Sequence, residues 1–282
     1  MKKKILFLSL SMLSVLLFGQ DKGEKVSQTF KDTRVVNGHS VETNKEGQMK
    51  MIIAHRFGEV NGGLKEFFGL DQSTIRLGLD YGLFDWLTIG IGRSSFEKTV
   101  DGFLKARVIN QRDGNGSPVS ITLFSSMAIK TLAINDETRP DYNRVRYTYA
   151  NQALIARKFS DRFSLQLMPT HVHNNFVIHK DKKNDVISIG GAGLFQLTKL
   201  VSFKAEYYYA LPDQLLDDNT NSLSLGFDIE TKHHVFQLHL SNSRGMIEKF
   251  FVTQTFGEWE KGDIMLGFNI TRDFQIKGKK YK

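Results

Sequence analysis

The sequence predicts an all-β protein, a single up-and-down antiparallel transmembrane β-barrel of about 12 strands. Two observations predict this fold class. Apolar and polar residues alternate with a period of two along most of the chain, and short turns alternate with longer connections. A period of two is typical of strands with one apolar and one polar face. Alternating short turns and long loops are typical of barrels that span a membrane.

The composition excludes several classes of protein before any strand is placed. Of the 282 residues, 40% are hydrophobic and 24% are charged, which excludes a disordered chain. The absence of cysteine excludes disulfides, thiolate metal sites and thiol nucleophiles. The net charge of +8 is spread along the chain rather than clustered, so we predict no nucleic-acid partner.

The first residues predict a secretory signal peptide over residues 1–19. Three lysines precede an apolar run over residues 5–18, and a glycine follows at a plausible cleavage point. The run is shorter than the roughly 20 apolar residues that a membrane-spanning helix needs. Residues 20–47 are then a periplasmic N-terminal segment or a plug in the lumen, 48–276 form the barrel, and 277–282 are a basic tail.

The strands follow from the spacing of the short turns. The first apolar residues after these turns are 33 to 44 residues apart, which fits one hairpin of two strands of about ten residues and one longer loop; they are Trp86, Val119, Phe163, Leu200 and Val235. We predict strands at 48–57, 73–81, 87–94, 99–110, 119–131, 144–158, 163–174, 185–196, 201–211, 221–230, 235–243 and 262–274.

Alternation alone does not separate a membrane barrel from a soluble lipocalin-like or sandwich protein, because both have one apolar face. The distribution of aromatic residues favours the membrane. They cluster at the two ends of the predicted strands, as in the interfacial belts of membrane barrels. The cluster near the short turns is Phe84, Trp86, Phe159, Phe163, Phe195 and Phe203, and the one near the loops is Phe176, Tyr207 and Tyr209.

With the apolar phase facing lipid, the other phase lines the lumen and carries eight basic and three acidic residues. Two interpretations remain open. The charges form ion pairs that close the lumen, or they form a basic constriction that selects small anions or anionic sugars. The predicted lumen charges are Lys50, Arg56, Arg76, Asp80, Asp101, Lys105, Arg107, Arg146, Lys158, Lys204 and Glu206.

Two histidines join this predicted lining. His171 and His173 continue the lipid-facing phase of their strand, where imidazoles are unfavourable. Pro169 predicts a β-bulge that shifts the phase and turns both rings inward. Two histidines at i and i+2 can bind a metal, but the sequence offers no third ligand at a suitable spacing, so we predict no metal site and no cofactor.

We predict no enzymatic activity. The sequence contains no GxSxG, HExxH or phosphate-binding loop. A barrel lipase would need a serine and a histidine together on the lipid-facing rim. A protease would need aspartate and histidine near the loops, where Asp181 and Asp185 lie close to His179 in sequence. A polar loop explains these three residues equally well.

Four segments of the first third of the chain resemble an uncharacterised family of outer-membrane β-barrel proteins of Bacteroidetes-type bacteria. The segments are residues 34–43, 62–71, 74–83 and 89–99. The resemblance extends over nearly all of the mature chain. It implies a membrane barrel and brings no catalytic residues with it.

The predicted function is an outer-membrane barrel, in contact with membrane lipid, that forms a narrow channel or binding barrel for a small solute, anionic in one interpretation. The alternative is a non-transporting structural or surface-interaction protein with a sealed lumen. Such a protein would present its loops to a partner, including residues 61–70 with Phe67 and Phe68. The sequence identifies no protein partner. The turn-prone Asn37, Gly38 and His39 suit a segment that folds back into the barrel.

Overall fold

In the computed structural model of the protein, the described residues are 23–114, 116–132, 144–177, 183–215, 218–231 and 234–277. The predicted signal peptide and most of the basic tail lie outside them, as do His179 and Asp181. No helix among the described residues is long and apolar enough to cross a membrane.

Twelve strands form the wall of the protein. Their bounds agree with the predicted ones to within three residues. They are β1 Gln48–Glu59, β2 Ser73–Phe84, β3 Leu87–Ser94, β4 Thr99–Ile109, β5 Ser120–Lys130, β6 Tyr147–Ser160, β7 Phe163–Asn174, β8 Asp185–Gln196, β9 Val201–Ala210, β10 Ser222–Glu230, β11 His234–Ser241 and β12 Met265–Gln275. The helix α1 spans Glu248–Thr253, and 3-10 helices occur at Val60–Gly69, Phe96–Lys98, Arg144–Arg146 and Trp259–Lys261.

The strands form a closed antiparallel up-and-down barrel, which confirms the predicted fold class. Each strand pairs with its neighbours in sequence, and β1 closes the barrel against β12. That closing pair runs in register from Gln48 opposite Gln275 to Arg56 opposite Gly267. Closure leaves no unpaired sheet edge. We call the end with the β2–β3, β4–β5, β6–β7, β8–β9 and β10–β11 connections and the two barrel termini the short-turn end, and the other the long-loop end.

The two faces of the wall differ in the way that a membrane-spanning barrel requires. Large apolar side chains point outward and are exposed, for example Leu77 at 48% and Ile91 at 63%. The alternate positions point inward, and their charged side chains are buried, with Arg56 at 0% and Arg76 at 3% exposure. A soluble barrel would show the opposite arrangement. The predicted orientation of the apolar rows is therefore confirmed.

Aromatic side chains lie on the outer face near the strand ends, as the sequence predicts. Phe84 and Trp86 stack at 5.6 Å between ring centroids at the short-turn end. Tyr207 and Tyr209 of β9 are exposed nearer the long-loop end. Their amphipathic rings suit the two membrane interfaces.

The hydrophobic core lies inside the barrel, which the sequence did not predict. Strands β5 to β8 turn mainly small or apolar side chains inward, among them Phe124, Leu154, Met168 and Val186, all at most 3% exposed. These side chains pack against residues from the N-terminal segment and from α1. The buried charges lie on β1, β2, β4, β9 and β10. The lumen thus has a charged part and an apolar part, and both are filled.

Candidate functional site: the filled lumen

Two segments enter the lumen from opposite ends. Residues 29–44, here the N-terminal insert, enter from the short-turn end and connect directly to β1. Residues 242–255, here the outer-loop insert, enter from the long-loop end between β11 and β12 and contain α1. Most side chains of both segments are buried. The site therefore consists of the inner wall together with these two inserts.

The N-terminal insert is folded as a small hairpin. The backbone N–H of Val35 donates to the carbonyl of Gly38 at 2.8 Å, and that of Ser40 donates to the carbonyl of Thr33 at 3.1 Å. Asn37 and Gly38, the turn-prone pair in the sequence, form its tip. The hairpin satisfies part of its own backbone, so the remaining N–H and C=O groups can bind the wall.

Glu206 of β9 binds the tip of this hairpin. Its carboxylate accepts hydrogen bonds from the backbone N–H groups of Val36 at 3.1 Å, Asn37 at 2.8 Å and Gly38 at 3.1 Å. A Cβ atom on Gly38 would lie 2.0 Å from the hydroxyl oxygen of Tyr208. The tip therefore fits the wall closely only because this residue has no side chain.

Ion pairs fix the insert at other points of the wall. The pairs are Asp32 with Lys50, Arg34 with Asp80 at 3.5 Å, and Glu42 with Arg107 at 2.8 Å. Burial raises the pKa of Asp32, but the charge of Lys50 and hydrogen bonds from Lys50 and Thr33 outweigh burial, so this pKa lies below its usual value. Asp32 is consequently ionised at neutral pH and holds the insert by its charge.

Three buried cations of the wall donate to oxygen atoms that the inserts supply. They are Arg56, bound to Asn37 Oδ1 at 2.8 Å and to the carbonyl of Ser243, Lys105, bound to the carbonyl of Thr33 at 3.2 Å, and Lys204, bound to the carbonyl of Val35. Lys204 also pairs with Asp228 at 2.8 Å. Arg56 thereby joins the two inserts, because its guanidinium donates to Asn37 of the N-terminal insert and to Ser243 of the outer-loop insert.

His39 lies at the centre of the lumen. Its ring is 4.1 Å from the ring of Phe124 and 4.7 Å from that of Phe103 between centroids. Arg34 donates to His39 Nδ1 at 2.6 Å, because a guanidinium has no acceptor. Burial, followed by the positive charges of Arg34 and Lys105, holds the pKa of His39 well below its usual value. The ring is therefore neutral.

The outer-loop insert is held mainly by apolar contacts. Phe250, Phe251 and Val252 of α1 are at most 4% exposed. The ring of Phe251 packs 4.7 Å from Tyr208, and that of Phe250 packs 4.8 Å from Phe96. An adjacent ion pair joins Lys249 to Glu97 at 2.6 Å. The loop turns inward because this apolar run finds partners on the uncharged part of the wall.

A small cavity separates the two inserts. It is bounded by Arg34 and His39 on one side, Glu248 on the other, and the ion pair of Arg76 with Asp101 on the wall. Its volume for the centres of water molecules is about 10 Å³, room for roughly one water. The lumen offers no wide water path through this part of the barrel.

A family model for a membrane bound beta barrel domain (DUF5777) matches residues 30–274. The chain belongs to this family. The match includes most of the N-terminal insert and the whole wall. The matched domain thus comprises the barrel together with the N-terminal segment that enters it. Membership of a family of membrane bound barrels agrees with the apolar rows that face outward from the wall. No curated protein matches the chain.

Solved structures to which the chain is similar include two porins and one outer membrane channel. The NanC porin is 6% identical, with 82% of this chain and 100% of that chain covered and a TM-score of 0.48. An outer membrane channel from Pseudomonas putida F1 is 13% identical, with 83% of this chain and 98% of that chain covered and a TM-score of 0.49. The KdgM porin is 8% identical, with 82% and 99% covered and a TM-score of 0.46.

The structure places most of the predicted lining residues of this membrane bound beta barrel domain in the lumen. Those that are buried there are Lys50, Arg56, Arg76, Asp80, Asp101, Lys105, Lys204 and Glu206, and Arg107 is half-buried beside Glu42. Asp228 was not among the predicted lining residues, although it is fully buried and lies in a strictly alternating strand. Among the buried strand residues, five basic side chains face four acidic ones, so the predicted basic excess is much smaller than eight to three.

The prediction for Arg146 is wrong in its placement. The strand β6 begins at Tyr147 rather than at residue 144, and Arg146 ends a 3-10 helix at the long-loop end. Its guanidinium donates to the carbonyl of Lys130 at 3.3 Å. Arg146 therefore lies at the rim, because the chain enters the strand at Tyr147, three residues later than the alternation indicates.

The predicted inward position of His171 and His173 is also wrong. The pairing of β7 with β8 continues without a shift through Pro169, so no bulge changes the phase. Val172 is buried, and both histidines are partly exposed on the outer face. Each ring lies 2.8 Å from the carboxylate of Asp185. This acceptor near the long-loop end satisfies the imidazoles outside, so the bulge is not needed.

A polar row on the outer face contains a serine and a histidine but not the contact that a serine hydrolase needs. Ser125 donates to Asn151 Oδ1 at 2.8 Å, whereas His171 contacts Asp185. Nucleophilic activation of a serine requires a hydrogen bond to the base itself. Among the described residues, no group of three or more His, Asp or Glu side chains is placed to hold a metal ion.

Proposed function

We propose that the protein is a gated outer-membrane channel for a small solute, delivered by a cleaved signal peptide, and that the structure described is its closed state. The N-terminal insert and the outer-loop insert close the lumen from opposite ends. In this proposal the protein is not an enzyme, and membrane lipid surrounds its outer face.

The observation that carries the proposal is the chemistry of the contacts between the N-terminal insert and the wall. Arg56, Lys105, Lys204 and Glu206 bind the insert through hydrogen bonds and charges. When the insert leaves, these polar groups can form hydrogen bonds with water instead, whereas the side chains of an apolar wall cannot. Replacing buried ion pairs by apolar residues is often neutral or stabilising, so a purely structural barrel has little need for them.

The preference for anions rests on the charges that remain when the N-terminal insert leaves. Five buried basic side chains then face four buried acidic ones, and the half-buried Arg107 loses Glu42 as its partner. The insert itself carries no net charge, because Lys31 and Arg34 balance Asp32 and Glu42, so the small positive excess belongs to the wall. A small excess of positive charge in a narrow lumen favours anions, so the proposed solute is a small anion.

A reversible cross-link tests the proposal on the intact chain. Asn37 Nδ2 lies 2.9 Å from Ser224 Oγ, and the chain contains no native cysteine. We expect a double variant, Asn37→Cys with Ser224→Cys, to show no conductance in planar bilayers when oxidised. After reduction it should show anion-preferring conductance steps.

The two single variants serve as controls, since neither can form the cross-link and both should be insensitive to oxidant. Conductance that is the same in the oxidised and reduced double variant would refute gating by the insert. Cation preference after reduction would refute the anionic solute while leaving the gate in place.

One observation favours the second candidate, a non-transporting surface-interaction protein. Both ends of the lumen are filled, and the loop after β1 exposes Leu64 at 82%, Phe67 at 58% and Phe68 at 50%. Phe67 and Phe68 have positive φ angles of 47° and 53°, a conformation that bulky residues rarely adopt. Absence of conductance in the reduced double variant would favour this candidate.

A further inference from the structure

The outer-loop insert buries one carboxyl group that lacks a full set of partners. Glu248, the first residue of α1, is 4% exposed, and its Oε1 atom has no hydrogen-bond partner among the described residues. The group faces a cavity with room for roughly one water. A buried carboxylate without partners is strongly unfavourable, whereas the protonated form is much less so. The position therefore favours a neutral carboxyl group.

Charged and titratable groups from several elements face Glu248. They are Arg34 and His39 from the N-terminal insert, Arg76 of β2, Asp101 of β4, Tyr208 of β9 and the adjacent residue Lys249, which pairs with Glu97. Thr148 and Ala150 of β6 also line the cavity and are uncharged. The facing groups thus include both signs of charge.

The nearby cations are engaged with other carboxylates. Arg76 pairs with Asp101, Arg34 pairs with Asp80 and Lys249 pairs with Glu97. The carboxylate partner of each cation therefore compensates most of its positive charge, which weakens its effect on Glu248. This explains why burial prevails over the positive charges: it raises the pKa of Glu248 to about 7, against a usual value of 4.5.

The sign of the consequence follows from the two protonation states. A seated insert binds the proton of Glu248 more tightly than a released insert does, so protonation favours seating. This contribution is fully present below pH 4.5 and is lost as the pH rises to about 7. The apolar contacts of Phe250 and Phe251 do not change over this range, so Glu248 supplies the dependence on pH.

We propose that the outer-loop insert is a pH-sensitive lid, which stays in the lumen while the carboxyl group of Glu248 is protonated and leaves when that group ionises. The lid remains attached at both ends, by β11 and β12, so it can move out and return. This proposal rests on the proposed channel function only in that release of the lid opens the long-loop end of the same lumen.

Thiol labelling tests the lid independently of conductance. A single cysteine at Val252→Cys, a buried position of α1, reports release of the insert in the membrane-embedded protein. A second protein with Leu64→Cys, an exposed position, corrects for the intrinsic pH dependence of the reagent. With a membrane-impermeant thiosulfonate, the corrected labelling rate should rise by about tenfold to a hundredfold between pH 5 and 7.5.

Variants of Glu248 separate this mechanism from general loosening. Adding Glu248→Gln should keep labelling slow at both pH values, because the amide cannot ionise. Glu258→Gln, an exposed glutamate of the same loop paired with Lys261, should retain the full response. Glu248→Leu provides a second neutral side chain if the glutamine variant does not give a folded, heat-modifiable barrel.

A corrected rate that does not change between pH 5 and 7.5 in the Val252→Cys protein would overturn the proposal, whatever the variants show. An unchanged response in either neutral variant would also overturn it. These outcomes differ from failure of the channel. A pH-dependent lid on a barrel that never conducts would refute the channel and leave the lid, whereas conductance with constant labelling would refute the lid alone.

Discussion

The two inserts fill one lumen by different physical means. The N-terminal insert is held by ion pairs and by hydrogen bonds to named wall groups, of which Glu206 binds three backbone N–H groups. The outer-loop insert is held by the burial of Phe250, Phe251 and Val252. The first continues into one wall strand, β1, and at its other end residues 24–26 hydrogen-bond to the connection between β4 and β5, whereas the second continues into a wall strand at both ends.

This difference teaches how precisely each insert is positioned and which group makes its seating depend on pH. Charge-assisted hydrogen bonds are directional, so they specify one position for the hairpin and lose energy when it moves. Apolar burial is non-directional, so the outer-loop insert can move out and return without a unique register. Glu248 then adds to this segment a carboxyl group whose pKa burial raises to about 7.

Of the variants that alter the contacts of the two inserts, the one expected to have the largest effect removes the contact at Glu206. Glu206→Gln removes the charge from an acceptor of three backbone N–H groups, which should weaken seating of the hairpin by about 2 kcal/mol, roughly thirtyfold. A Val41→Cys probe is buried in the lumen, since Val41 has 0% exposure. Its labelling by a thiol reagent that enters from the short-turn end should become roughly thirtyfold faster.

Glu230→Gln is the matched control for this prediction. Glu230 also contacts the N-terminal segment, through an ion pair with Lys31 at 3.0 Å, but both side chains are partly exposed. Exposed pairs contribute at most about 1 kcal/mol, so labelling should change little. Equal effects of the two variants would contradict the view that the buried contact holds the hairpin.

A smaller effect is expected from steric displacement of the tip. Gly38→Ala places a Cβ atom 2.0 Å from the Tyr208 hydroxyl oxygen, so the hairpin must withdraw or the wall must shift. Overpacking of this kind costs about 1 to 2 kcal/mol, and labelling at position 41 should rise accordingly. Adding Tyr208→Phe removes the obstructing hydroxyl and should restore most of the protection. Failure of this second change to restore it would show that the hydroxyl does not set the position of the tip.

The wall was predictable from the sequence because strand alternation is a local property. Each outward residue is apolar for the same reason, contact with lipid, so the rows in β2 and β10 could be identified without knowing their neighbours. The same alternation placed Arg56, Arg76 and Lys204 inward. Asp228 follows the identical rule in β10 and was available from the sequence by the same reasoning.

The filling of the lumen was not predictable in the same way, because it depends on contacts between distant parts of the chain. Glu248 lies about 150 residues from Asp101, and nothing in the loop sequence specifies that they face one cavity. Pro169 misled the analysis, since the strand tolerates it without a bulge. His171 and His173 remain outside because Asp185 accepts from both, a pairing that only the register of β7 and β8 creates.

The smallest predicted effect concerns pH and should be opposite in direction for the two inserts. The pKa of His39 lies well below its usual value of 6.5, through burial and then the charges of Arg34 and Lys105, so the seated hairpin favours the neutral ring. Seating is fully stable above pH 6.5 and weakens as the pH falls. Labelling of Val41→Cys, corrected with Leu64→Cys, should rise by about fivefold from pH 6.5 to 5.5, while the lid becomes more firmly seated. His39→Gln should abolish the rise, and a rise that persists in this variant would show that another group loosens the hairpin in acid.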